Sequence, residues 1–170
     1  GRRDRETLLR AAQALPDLKF VIVDPEASSE WEKLEQAKLT NLPNVNWFRD
    51  SLPLEKYIAL IRRAKLVIVA IRIGPGDGGH STVSLAHRVG TPVIYSDVPG
   101  ISDYVSHGHD AYQIPASDPE ALAGAISSLW EDSAMRGKLS KNGRATEAAR
   151  VDVCKQSFLQ ALSNAYAGLT

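Results

Sequence analysis

Short apolar segments alternate along the chain with segments of helical periodicity, and this alternation is what most limits the possible folds. Runs rich in β-branched and other apolar side chains are predicted to be buried strands at 20–24, 45–48, 66–71, 92–96 and 111–115. Helical periodicity lies around and between them, at 6–15, 54–64 and 118–129. Such alternation gives parallel strands with helices on both faces of the sheet. We therefore predict an α/β fold: a doubly wound, Rossmann-like parallel sheet with a helical C-terminal tail.

The C-terminal part of the chain is predicted to be helical only. Asp118 followed by Pro119 is a typical start of the helix at 118–129. From Ala134 to about Ala167 no strand pattern recurs, and the weakly apolar stretch 140–150 is expected to be exposed. The stretch 151–167 carries an apolar stripe that is expected to pack away from the sheet. We therefore expect one domain over 1–170, with 134–170 as a helical extension.

Composition excludes several classes of protein. Twenty basic residues balance twenty acidic ones, which argues against nucleic-acid binding because that requires a basic face. Cys154 is the one cysteine among 170 residues, so a disulfide within the chain is excluded and a reducing, cytoplasmic location is expected. Apolar runs fall well short of the ~20 residues that span a bilayer.

A glycine-rich loop follows the strand predicted at 66–71 and leads into a helix. It reads GPGDGG from Gly74 to Gly79, and a helix is expected to start near 80–82. Ligands of doubly wound sheets bind at the carboxyl ends of the strands. The free N–H groups at the start of such a helix are suited to phosphate, and glycines let a ligand approach closely. The alternative is a connecting loop whose only feature is a Ser or Thr cap.

The wider sequence around this loop resembles a known family. The pattern Gly79-His80-Ser81-Thr82-Val83-Ser84-Leu85-Ala86, followed by Gly90-Thr91-Pro92-Val93-Ile94, resembles the nucleotide-sugar site of glycosyltransferases of the two-Rossmann-domain (GT-B) architecture. The stretches RDRETLL, LPDLKFVIVDP, NVNWFRDSLPLEKYIALIRRAKLVIVAI and SDVPGISDYVSHGHDAYQIPASDPEALAGAISSLWED are similar to the donor-binding, C-terminal domain of the retaining group 1 family. The resemblance covers roughly 1–143.

The resemblance implies roles for individual residues. Arg3, with Arg2 as a second candidate, falls where the family places a basic residue on the donor diphosphate. Asp77 stands where many members carry a catalytic glutamate beside the transferred sugar. Leu85 stands where a second glutamate usually binds the ribose hydroxyls. Substrate contacts are further implied for the loop and helix start, at Gly78, Gly79, His80, Ser81 and Thr82. For His80, an ordinary loop histidine is the alternative.

The resemblance also implies an overall activity. The chain is expected to be the donor-binding domain of a hexosyltransferase-type enzyme of polysaccharide biosynthesis that uses a nucleotide-diphosphate sugar and needs no cofactor. No metal is expected, because His107 and His109 have no third ligand near them in the sequence. The N-terminal acceptor domain and the first strand are expected to lie outside this chain, which alone is then inactive. Peripheral membrane association, if it occurs, is expected to be made by the absent domain.

Two alternatives remain open at this stage. A non-catalytic GT-B-like nucleotide-binding or regulatory module is favoured by Leu85, because the usual ribose ligand is replaced by an apolar side chain. Sugar-nucleotide epimerases share the architecture and form a third class. The identity of the sugar, the base and the acceptor is left open by the sequence.

Overall fold

A computed structural model of the chain describes residues 3–25, 31–74, 78–101 and 104–167. Helices and strands alternate over most of this length, as the sequence predicts. In chain order they are α1 (Arg5–Ala14), β1 (Phe20–Val23), α2 (Trp31–Gln36), β2 (Val45–Phe48), α3 (Leu54–Arg63), β3 (Val67–Val69), α4 (His80–Val89), β4 (Val93–Asp97), β5 (Tyr112–Pro115), α5 (Pro119–Glu131) and α6 (Ser133–Ala167).

All strand pairs in the described part of the chain are parallel. β1 pairs with β2, with Phe20 opposite Val45. β3, β4 and β5 pair in that order. Among the described residues no ladder joins β1 to β3, so the strands form a two-stranded and a three-stranded group. The parallel arrangement confirms the predicted fold class, and the division into two groups is an addition to it.

Helices cover both faces of the three-stranded group. Val93 and Tyr95 of β4 lie in an apolar cluster with Val83 and Ala86 of α4. Ile94, between them in sequence, lies in a second cluster that includes residues of α1 and α5. Because successive side chains of a strand point to opposite faces, this alternation places one helical layer on each side of the sheet. The doubly wound, Rossmann-like arrangement is therefore confirmed.

Most predicted boundaries are accurate to within a few residues, and the differences have local causes. Asp118 caps α5 as predicted, accepting a hydrogen bond from the Ala121 N–H at 2.8 Å. β3 is shorter than the predicted strand at 66–71. The reason is that the Asp4 N–H donates to the Ala70 carbonyl at 2.9 Å, and Arg3 forms an isolated antiparallel bridge with Ile71. The short helix α2 was not predicted.

The C-terminal helix α6 differs from the expectation in its first half. It is one helix of 35 residues that begins at Ser133. The expectation that 140–150 is exposed is wrong for one face of the helix, because Gly143 and Glu147 are buried and this part of α6 packs against α4, whereas Lys141, Arg144, Ala145, Ala148 and Ala149 are exposed. The expectation for the second half is confirmed where side chains are described: residues 152–161 are exposed, and Phe158 keeps 64% of its surface accessible.

Candidate functional site

The start of α4 has the geometry of an anion-binding helix terminus. Gly79 is the N-cap residue and has a positive φ of 82°. A Cβ atom at this position would lie 2.8 Å from Cδ1 of Ile71 and nearer still to Val69, so only glycine allows α4 to begin this close to β3. No side chain of the described residues caps the helix. The first N–H groups of α4 therefore have no partner within the helix and are suited to an anionic ligand.

Arg3 lies beside this helix start at the carboxyl end of β3. Its backbone pairs with Ile71, and the Ile71 side chain also lies 3.4 Å from where a Cβ of Gly78 would be. Its guanidinium Nη1 donates to Oδ1 of Asp24 at 2.9 Å, while 49% of the side chain remains exposed. The Arg3 backbone, Gly78 and Gly79 are thus all neighbours of Ile71, whereas the Arg3 guanidinium is bonded to Asp24.

Asp24 holds this corner of the site. It is buried at the carboxyl end of β1 and accepts hydrogen bonds from both Arg3 and Arg5. The Arg5 side chain is only 3% exposed, so it anchors the first turn of α1 to the end of β1. Arg3, with its larger exposed fraction, is the member of this cluster that solvent or a ligand can reach.

The polar residues at the beginning of α4 have partners on neighbouring elements. His80 donates through Nε2 to the Gly100 carbonyl at 3.2 Å, since a carbonyl oxygen can only accept. Its ring lies 4.3 Å from the ring of Tyr104, centroid to centroid. Thr82 Oγ1 lies 3.0 Å from the Tyr57 hydroxyl of α3, whereas Ser81 is exposed. The helix start is therefore fixed from two sides.

Leu85 packs partly on the core instead of lying free in the site. It is half-buried against the apolar cluster of β3, β4 and α4. A ribose-binding carboxylate is consequently absent at this position of α4. Two predicted site residues, Arg2 and Asp77, lie outside the described residues, so their placement adds nothing to this geometry.

A buried polar cluster on the outer side of α4 was missed by the sequence reasoning. His87 is 1% exposed and donates from Nε2 to the Asp110 carbonyl at 3.2 Å. Burial lowers the pKa of His87 below its usual 6.5. Burial opposes ionisation of Glu147 on α6, but hydrogen bonds from Ser84 and Arg88 outweigh it and lower the pKa of Glu147. His87 is therefore a packed side chain, and this cluster is held together separately from the helix start.

A cavity of about 400 Å³ lies at the start of α1 and is lined by residues that include Asp4, Thr7, Lys33, Arg72 and Ser117. It includes no residue of α4. The Asp4 carboxylate within it already accepts hydrogen bonds from the Thr7 N–H and the Ser117 hydroxyl. The cavity therefore lies apart from the start of α4.

The described residues contain neither a candidate metal site nor a helix that could cross a membrane. Within 3–25, 31–74, 78–101 and 104–167, no group of three potential metal-ligating side chains occurs. The imidazole of His107 accepts a hydrogen bond from the Gln113 N–H through Nδ1, at 2.9 Å. None of the helices, over the described residues, is both long enough and apolar enough to cross a bilayer.

Fold and site together define a Rossmann-like domain with a helix start that no described side chain caps, at the carboxyl edge of its sheet. The family "Glycosyl transferases group 1" matches residues 3–146. The chain belongs to this family. This confirms the resemblance noted in the sequence, over nearly the same span.

Solved structures of similar fold are glycosyltransferases of the GT-B type. HepE of Anabaena, in complex with UDP and glucose, has a TM-score of 0.76 at 20% identity, over 95% of this chain and 45% of that one. Sucrose-phosphate synthase of Thermosynechococcus elongatus has a TM-score of 0.69 at 23% identity, over 97% of this chain and 44% of that one. The C-terminal domain of LpcC from Francisella tularensis has a TM-score of 0.69 at 16% identity, over 88% of this chain and 80% of that one. This chain thus spans less than half of the first two. The search of curated proteins gave no match.

Proposed function

We propose that this chain is the donor-binding domain of a glycosyltransferase and binds a nucleotide-diphosphate sugar. The observation that carries the proposal is the uncapped start of α4, with Gly79 at positive φ, beside the half-exposed Arg3. N–H groups and a guanidinium at the same edge of the sheet can neutralise a diphosphate, the leaving group of such a donor. The UDP complex of HepE, which has the same fold, supports this class of ligand.

The proposal assigns roles to the remaining predicted residues. Backbone N–H groups of 78–82 bind the diphosphate, with Arg3 and Arg2 as the basic side chains and with His80, Ser81 and Thr82 at the rim. Asp77 is the catalytic residue beside the transferred sugar, which we propose to be a hexose. This assignment rests on the position of Asp77 in the family pattern, two residues before the N-cap glycine.

We further propose that the acceptor-binding domain and a strand between β1 and β3 are supplied from outside these residues. In support, the chain spans less than half the length of HepE, and β1 and β3 are not paired to each other in the described part. Transfer to an acceptor, in polysaccharide biosynthesis and at the cytoplasmic side of a membrane, then requires that additional domain. The isolated chain binds donor without transferring it.

A second candidate, a nucleotide-binding module without catalysis, is favoured by one observation. Leu85 packs against the core where a ribose ligand is expected, so the site lacks a carboxylate for the ribose hydroxyls. The two candidates share the diphosphate site and differ in whether the enzyme transfers sugar. Full-length protein with and without Asp77→Asn, assayed for donor hydrolysis, separates them: loss of turnover with retained UDP binding supports the transferase.

The binding proposal is tested by calorimetric titration of the 170-residue chain. UDP, GDP and ADP are compared with uridine, guanosine and adenosine, which lack the diphosphate but keep base and ribose. We expect at least one diphosphate to bind measurably more tightly than its nucleoside, with affinity that falls as salt rises because the site is partly exposed. Equal, salt-independent affinity for diphosphates and nucleosides would refute a diphosphate site at this edge.

A further inference from the structure

We propose that Arg150 of α6, held by Glu147, is a positioning residue for the donor site: it fixes Tyr104 and, through Tyr104, His80 at the start of α4. The inference rests on the proposed function, since it assigns a role at that same site. Nothing in the sequence around Arg150 and Glu147 indicates such a role, because charged residues in a C-terminal helix are typical of an exposed surface.

The first step is the docking of Arg150 by a buried carboxylate. Glu147 is only 3% exposed, and both of its carboxylate oxygens accept hydrogen bonds. Oε1 accepts from Ser84 Oγ at 2.6 Å and from Arg88 Nε at 2.9 Å, and Oε2 accepts from Arg150 Nη1 at 2.7 Å. Glu147 therefore joins α6 to α4 and at the same time orients one edge of the Arg150 guanidinium.

The second step is the contact of Arg150 with the loop after β4. Its Nη2 donates to the Tyr104 carbonyl at 2.6 Å. Its guanidinium carbon also lies 4.7 Å from the centroid of the Tyr104 ring, within the range of a cation–π contact. One side chain thus restrains both the backbone and the ring of Tyr104.

The third step leads from Tyr104 to the site. The Tyr104 ring lies against the His80 ring, and His80 is the first residue of α4. His80 in turn donates to the Gly100 carbonyl, so the loop is attached to the helix start at two points. A displacement of Tyr104 would therefore move the side chain that borders the anion-binding N–H groups.

Arg144 provides a matched control on the same helix. It donates from Nη2 to the Val89 carbonyl at 3.0 Å, at the opposite end of α4 from His80. Replacing either arginine removes one guanidinium and one hydrogen bond to a backbone carbonyl, and Arg150→Ala also removes the ion pair with Glu147, which Arg150→Lys can keep. Only Arg150 contacts the element that borders the proposed site.

The experiment compares Arg150→Ala, Arg150→Lys and Arg144→Ala in the 170-residue chain, with UDP, GDP and ADP as probes. Three readouts are taken: thermal midpoint, affinity by calorimetry, and the NMR signals of the His80 imidazole without ligand. We expect Arg150→Ala to shift the His80 signals and to weaken diphosphate binding by about tenfold. Arg144→Ala should lower the thermal midpoint and leave both other readouts near wild type. Arg150→Lys keeps the charge for Glu147 and should restore binding in part.

The outcomes separate the inference from the proposed function. If Arg150→Ala and Arg144→Ala affect the His80 signals and the affinity equally, the positioning role is refuted. If the wild type binds none of the three diphosphates but Arg150→Ala alone shifts the His80 signals, the coupling stands and the donor-binding function fails. Should Arg150→Ala fail to fold, the same comparison is made with Arg150→Lys, whose unchanged His80 signals and affinity would overturn the inference.

Discussion

Gly143 of α6 lies directly against the His87 ring of α4, and its replacement by alanine tests that packing directly. A Cβ atom at this position would lie 2.7 Å from Cδ2 of the His87 ring and 3.1 Å from Cγ and Nε2. Carbon atoms in contact normally lie about 3.5–4.0 Å apart, so the helices must separate by roughly 1 Å or the ring must move. The ring is buried and held by its hydrogen bond to Asp110.

Gly137 is the matched control for this substitution. It lies in the same helix α6, with nothing within 4 Å of its added Cβ. Both substitutions gain about 1 kcal/mol of helix propensity, so the difference between them isolates the clash. Overpacking costs about 1–3 kcal/mol, so we expect Gly143→Ala to be less stable than Gly137→Ala by that amount. At about 2–4 °C per kcal/mol, the midpoints should differ by roughly 2–12 °C.

Urea and thermal unfolding of the two variants and the wild type provide the measurement, at a pH where the His87 imidazole is neutral. Gly137→Ala should equal or exceed the wild type. Equal stability of the two variants would show that α6 does not lie against His87. In a His87→Ala background the penalty of Gly143→Ala should disappear, because the ring that it meets is gone.

Three further substitutions test the site and its supporting cluster. Arg3→Ala should weaken diphosphate binding by about 1.5–3 kcal/mol, and by less at high salt. Arg10→Ala is the control, because the Arg10 side chain is similarly exposed, at 47%. Equal effects of the two substitutions would remove Arg3 from the site. Leu85→Glu should lower the thermal midpoint, because it places a carboxylate against the core. If the new carboxylate binds the ribose hydroxyls, it should also tighten UDP binding by about 1.5–3 kcal/mol and leave binding of the dideoxyribose analogue unchanged. A loss of stability without that gain would contradict a lost ribose contact. Because the pKa of His87 is lowered from 6.5 in the folded state, its contribution to stability is full above that pH and falls as the pH decreases below it. His87→Gln should show a shallower loss of midpoint over that range, and an unchanged slope would exclude His87 as its source.

The sequence predicts the sheet well because the signals for its strands are local. Val93 to Tyr95 and Val67 to Val69 are apolar runs between helical segments, and Asp118 directly before Pro119 marks a helix start. The glycines at 78 and 79 likewise indicate a close approach at a strand end, and Gly79 does need its positive φ. Each of these inferences uses residues that are adjacent in the chain.

The packing of α6 could not be predicted in this way. Glu147, Arg150 and Gly143 are two charged residues and a glycine in a helix, a pattern typical of a solvent-exposed surface. Their partners Ser84, Arg88 and Tyr104 are 46 to 63 residues away in sequence. The Glu147 carboxylate can be buried only because several hydrogen-bond donors surround it in the folded chain, and no local sequence pattern indicates that arrangement. The two-residue pairing of Arg3 and Asp4 with the end of β3 was missed for the same reason.

The division of α6 at Arg150 has a consequence for the rate at which its amide protons exchange with water. Up to Arg150 the helix packs against α4, so opening it requires breaking tertiary contacts. Beyond that residue, the described side chains at 152–161 are exposed, and the backbone depends on its own hydrogen bonds. In proteins most of the stability of a helix comes from tertiary packing of one of its faces, and the described residues of this second half lack such packing. Hydrogen exchange should therefore be slow before Arg150 and faster after it, within a single unbroken helix. Any molecule that binds the second half would extend the slowly exchanging region and make the full length of α6 rigid.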